Sequence, residues 1–303
     1  MTKNDITRGL IDFAVSQCLK NIKEDPYRSI RRLADLGRQF AKGRFQEELF
    51  SLFQRLLLNE DGPYYEMLKQ LVSSVDTDSL KTLGINIGYN SWTCGASRLR
   101  QITAEKDYPH WLAEISLSPE RSASQLTEQL SAALKNGTYA FRLHMPSQSI
   151  TTDTRQLGLI REFPDCSFFL DFMDTDCTYS DDLLELTCSC DNLAFLVPFG
   201  SLQSRQLVDL LNARQRIYGV CRTYDNTNAA ERISDSQISE MLSWGSPLLF
   251  FLAAADTTQD NRLLVDNAIL DARLHQTYPA LLIHLDADVA RIQQLLLSSR
   301  KNL

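Results

Sequence analysis

Seven short apolar runs dominate the chain from residue 111 onward: Trp111–Leu117, Tyr139–Met145, Ser167–Met173, Leu193–Phe199, Tyr218–Tyr224, Leu248–Ala255 and Leu281–Leu285. Each has the length of a strand, and each is separated from the next by a stretch long enough for a helix. Strand and helix repeated at about 25 to 30 residues per unit predict a parallel sheet, doubly wound or curled into a barrel. Helix starts are marked at Ser118-Pro119-Glu120, Ser180-Asp181-Asp182 and Ser234-Asp235, and Gly137, Gly219 and Gly245 mark returns to strand. In such folds chemistry sits on the loops at the carboxyl ends of the strands. The first of these loops is Ser118-Pro119-Glu120-Arg121-Ser122.

Upstream, from Ile6 to about Ser79, apolar residues recur at helical spacing without strand-like alternation. Leu10, Phe13, Ala14 and Cys18 form one stripe, and Ile30, Leu33, Leu36 and Phe40 a second. Phe45, Leu49, Phe53 and Leu56 to Leu58 predict a third helix, and Tyr64 to Val75 a fourth. Asp25-Pro26 supplies an N-cap acid followed by proline at the first helical position. Residues 1–80 are therefore expected to form a helical N-terminal domain and residues 81–303 a β/α barrel-like domain. Between them, Leu83 to Asn90 alternates with period two and predicts a short strand or extended connector, followed by a helix from Gly95 to Ile102.

Composition narrows the function classes. A chain of 303 residues that is 44% hydrophobic can bury a full core. Its 38 acidic against 31 basic residues, a net charge of -7, argue against nucleic acid as a partner. No run of some 18 apolar residues and no signal-peptide core are present, so a cytoplasmic location away from the membrane is expected. Seven scattered cysteines read as reduced core thiols. Cys177, Cys188 and Cys190 fit no known metal-ligand spacing. A phosphate-cradling glycine loop, a nucleophile elbow and a paired-histidine zinc motif are all missing.

Alternation within the strands selects the candidate site. Tyr139, Phe141, Leu143 and Met145 suit the helix-facing side, so Arg142 and His144 are expected to point inward. Glu114 and Ser116, Asp171, Arg222, and His284 with Asp286 on the last strand are assigned to the same interior. Buried charges must pair with each other or face a ligand. Two readings follow: a self-satisfied salt-bridge network closing the lumen, or a pocket. In the pocket reading Arg142 and Arg222 hold a small anionic ligand, with His284 and Asp286 also binding. His144, Asp171 and Glu114 are then the acid/base candidates. His144, Asp171, His284 and Asp286 also carry the donor types of a divalent metal site, though no metal is expected.

Three further features carry a likeness to a family: the early Glu24-Asp25-Pro26 helix start, the connector Leu83–Gly95 (LGINIGYNSWTCG), and the lead-in Tyr108-Pro109-His110-Trp111 to the first strand. In this order they resemble radical SAM proteins with a helical N-terminal extension. That resemblance implies a TIM-type parallel β/α barrel, partial or complete. It also implies a four-iron cluster on three cysteines spaced CxxxCxxC after the first strand, and S-adenosylmethionine bound to it. Here that loop reads SPERSASQ, with no cysteine between Cys94 and Cys166. Met145-Pro146-Ser147-Gln148-Ser149 stands where the family has its glycine-rich stretch. The resemblance therefore implies a cluster-free pseudoenzyme with no cofactor, acting as a binding or partner subunit through the N-terminal helices. The alternative is a barrel enzyme, a metal-dependent hydrolase or isomerase, acting on a small anionic substrate at the carboxyl mouth.

Overall fold

A computed structural model describes residues 3–20, 22, 24–41, 44–102, 109–118, 120–145, 154–172 and 181–298. Among these, the N-terminal part forms five α-helices: α1 (Lys3–Leu19), α2 (Pro26–Phe40), α3 (Arg44–Leu56), α4 (Pro63–Ser74) and α5 (Thr77–Ile85). As the sequence predicts, Asp25 caps α2, its carboxylate accepting from the Arg28 amide at 3.1 Å. The first stripe is different. Leu10 and Phe13 are exposed, and the face of α1 that packs inward carries Ile11, Val15 and Leu19.

The expected connector at Leu83 to Asn90 is helix. α5 runs through Ile85 into a π-helix (Asn86–Gly95) and on into α6 (Ala96–Leu99). The apparent alternation arises because two polar side chains in the run are buried for hydrogen bonding. Asn86 donates to the carbonyls of Pro164 and Cys166, and Asn90 to that of Asp165. Gly95 closes the segment against Gly137, where a Cβ would lie 2.3 Å from the Gly137 carbonyl oxygen.

Among the described residues, seven parallel strands follow in the order β1 to β7, forming a curled half-barrel sheet. They are β1 (Leu112–Ser116), β2 (Ala140–His144), β3 (Ser167–Asp171), β4 (Leu193–Pro198), β5 (Tyr218–Tyr224), β6 (Leu248–Ala253) and β7 (Leu281–His284). Between them lie α7 (Ala123–Lys135), α8 (Thr154–Gly158), α9 (Asp181–Cys188), α10 (Leu202–Ala213), α11 (Ala229–Arg232), α12 (Asp235–Leu242) and α13 (Gln259–His275), and α14 (Leu285–Ser298) follows β7. α7 starts later than expected. Its cap is Ser122, in a reciprocal capping box with Gln125.

The helix-facing side of the sheet carries the main core. Phe141, Phe168, Phe195, Val220 and Phe251 meet Leu130 of α7, Leu207 of α10, Met241 of α12 and Val265 of α13. The opposite, inner face is covered in a different way. Its amino end rests on the N-terminal helices, where Val75 and Leu83 pack on Ala194 of β4. α14 lies across the same face and reaches back to the first strand. The Trp111 indole donates to the Val289 carbonyl at 3.0 Å, and Gln293 accepts from the Trp111 amide at 2.9 Å. No described helix is long and apolar enough to cross a membrane.

Candidate functional site

In-register pairing of parallel strands brings neighbouring side chains to one face at one height. Glu114 of β1 stands beside Arg142 of β2, and His144 of β2 beside Asp171 of β3. All four point to the inner face, Glu114 and Arg142 at mid-strand and His144 and Asp171 at the carboxyl ends of theirs. The apolar counterparts on that face, Leu196, Cys221, Phe250 and Leu252, cover β4 to β6 and meet Leu285 of α14. The inner face thus carries its charged cluster on the first three strands, beside the apolar Leu112, Ala140 and Phe169.

The four charged groups are bonded to one another. Arg142 donates through Nε to Asp171 Oδ2 at 2.8 Å, with Nη2 2.6 Å from the same oxygen, and through Nη1 to Glu114 Oε1 at 3.0 Å. His144 Nε2 lies 3.2 Å from Glu114 Oε2, and Nδ1 3.5 Å from Asp171 Oδ2. Arg142 and Asp171 are buried, while the Glu114 side chain is 53% exposed and forms the solvent side of the cluster.

These contacts decide the ionisation of the two outer groups. Hydrogen bonding to Asp171 first, and then to Glu114, raises the His144 pKa from 6.5 to about 9, against the opposing effect of burial. The hydrogen bond from His144, reinforced by Arg142, lowers the Glu114 pKa from 4.5 to about 2. At neutral pH two cations face two anions. An imidazole held protonated in this way is a poor general base near pH 7, because its proton is already in place.

The other expected site residues lie elsewhere. Arg222 shares its side of β5 with Val220 and Tyr224 and so faces the helices. Its guanidinium carbon stacks 4.8 Å from the Phe199 ring centroid, and Nη1 lies 4.0 Å from Glu240 Oε2 of α12. His284 is also on the helix-facing side, buried between the Tyr224 hydroxyl (2.7 Å to Nε2) and Asp266 of α13 (3.4 Å to Nδ1). Asp286 is in the first turn of α14 and not on a strand, 3.6 Å from Arg262. The sheet therefore separates His284 from His144 and Asp171. Among the described residues no group of three or more His, Cys, Asp or Glu side chains is arranged to hold a metal ion.

The first strand-end loop offers no thiol for a cluster. Its carbonyls at Ser118 and Arg121 are held by Gln156 of α8, the former at 2.8 Å. Gln156 was not anticipated from sequence, and neither was the chain of ion pairs behind His284. There Asp266 meets Arg291 at 2.8 Å, and Arg291 meets Asp288 at 2.6 Å. Cys177, Pro146 to Ser149 and Ser180 lie outside the described residues. No protein-family model and no curated protein matches this chain.

Proposed function

We propose that this protein is a cluster-free, radical-SAM-like barrel protein that works by binding rather than by catalysis. One observation carries the reading: the charges clustered on the inner face neutralise each other. Arg142, the strongest candidate for an anionic substrate, already holds two carboxylates. Arg222 is on the opposite face, so the two arginines do not converge. The metal-enzyme alternative needs His144, Asp171 and His284 together, and the sheet stands between them. For the cluster itself, the residues of the first loop do not fit.

The reading extends to a protein partner at the N-terminal helices. Leu10 and Phe13 sit one turn apart on α1 and are 58% and 64% exposed, which keeps an apolar strip in water.

Anaerobic purification, followed by iron, sulfide, zinc and manganese analysis with an absorption spectrum, tests the proposal. Protein free of these metals is expected. Stoichiometric iron and sulfide would overturn it in favour of a cluster enzyme. One zinc or manganese per chain, lost in His144→Ala, would overturn it in favour of a metal-dependent hydrolase or isomerase.

A further inference from the structure

The N-terminal helices line a half-open cavity of about 340 Å³. Its wall takes Val15 from α1, Leu33 from α2, Phe53 from α3, Val72 from α4, Ile85 from α5 and Tyr89 from the π-helix. A space this large lined by apolar side chains gives water few polar partners and leaves the lining without dispersion contacts. The volume falls at the lower end of the range that holds small organic ligands, about 300–1,000 Å³. Six successive helical segments contribute apolar side chains to this wall.

Two glycines lie in this wall. Gly84 and Gly88, one turn apart, line the chamber, and a Cβ built on either meets nothing within 4 Å. Glycine inside a helix is costly and usually answers a close approach. Gly37, on the same wall, shows that ordinary case: a Cβ there would lie 2.1 Å from the Phe50 ring. Gly84 and Gly88 have no such neighbour, so a larger side chain at either position has room to enter the space beside it. Gly84 is exposed and Gly88 half-buried, which places the opening at Gly84.

The charge of the wall sets the ligand class. Among the described residues lining the chamber, Lys81 is the charged one, and its ammonium is 3.6 Å from both Asp12 and Asp78. An acidic head group would meet a cation already shared by two carboxylates. We propose that the chamber binds a neutral, apolar small molecule, entering past Gly84 and lying along Gly88. The site is separate from the charged cluster on the sheet and does not depend on how that cluster is read.

Titration of the full-length protein with Nile red, a neutral apolar dye, tests this. One dye per chain is expected, displaced by 1-dodecanol in preference to dodecanoate. In Gly84→Leu/Gly88→Leu the side chains fill the space, so dye affinity should fall about tenfold or more while the melting midpoint holds or rises. Should that variant fail to fold, Gly84→Ala/Gly88→Ala is read instead, with a loss of about fourfold per added methyl. Wild-type protein that takes up no dye, or glycine variants that bind it unchanged, would overturn the proposal. So would stronger displacement by dodecanoate, or dye binding lost in Leu10→Asp/Phe13→Asp and kept in the glycine variants. The last result assigns the dye to the exposed face of α1.

Discussion

Arg142 and Asp171 form a buried ion pair between neighbouring strands, joined through both Nε and Nη2 to a single carboxylate oxygen. Their side chains are 5% and 3% exposed, so neither charge has water to fall back on. Removing one partner leaves the other buried and unpaired. Asp171→Ala is therefore expected to cost about 3–5 kcal/mol. Glu114→Ala, at the solvent side of the same arginine, should cost less than about 1 kcal/mol. Urea unfolding of the two variants checks the contrast; equal costs would mean that burial does not govern this cluster.

The same cluster makes stability depend on pH in two directions. His144 has its pKa raised from 6.5 to about 9, so its contribution is complete below pH 6.5 and is lost as pH rises through 9. Glu114, lowered from 4.5 to about 2, contributes above pH 4.5 and loses that contribution as pH falls towards 2. The cluster is most stabilising between these limits. The alkaline loss is expected to be about 1–3 kcal/mol, reduced by solvent around Glu114. It should vanish in His144→Gln, as measured by denaturant unfolding from pH 6 to 10. A wild-type profile flat over that range would contradict the assignment.

On the other face of the sheet, His284 links β5 to α13 through Tyr224 and Asp266. Tyr224→Phe deletes one buried hydrogen bond and should cost about 1 kcal/mol. His284→Ala opens a cavity and strips Asp266 of a partner, for a loss of about 2–4 kcal/mol. Neither should change dye binding in the N-terminal chamber. A binding defect in folded Tyr224→Phe would show that this network does more than hold elements together.

The contact between Gly95 and Gly137 tolerates no side chain. Alanine at 95 would press its methyl on a backbone carbonyl, and alanine at 137 would in addition hold φ at +97°. Each should destabilise by about 1–3 kcal/mol or more, Gly137→Ala the more severely, in thermal unfolding.

Much of the sheet was legible because two-residue alternation is strong where one side of a strand is large and apolar. Phe141, Leu143 and Met145 left Arg142 and His144 no other direction. In β5 the same rule points the other way: Arg222 shares parity with Tyr218, Val220 and Tyr224, so it faces the helices. In β7 it was silent, since Leu281, Leu282 and Ile283 are alike and nothing in the strand says which way His284 turns. Asp286 was misplaced because β7 passes into α14 with no turn residue between them. The connector misled for another reason. A π-helix shifts the buried positions off the 3.6-residue period, and Asn86 and Asn90 are buried for their amides rather than for apolar surface.

The strap that α14 lays across the inner face also sets an order of events at the ribosome. Trp111 receives its partner Gln293 only after 182 further residues have been made. At about 5–20 residues per second that is a wait of roughly 10–40 s. During this interval the indole has its upstream neighbour Trp92 but lacks the cover that α14 supplies. A nascent chain of this kind holds part of its inner face open until α14 is made.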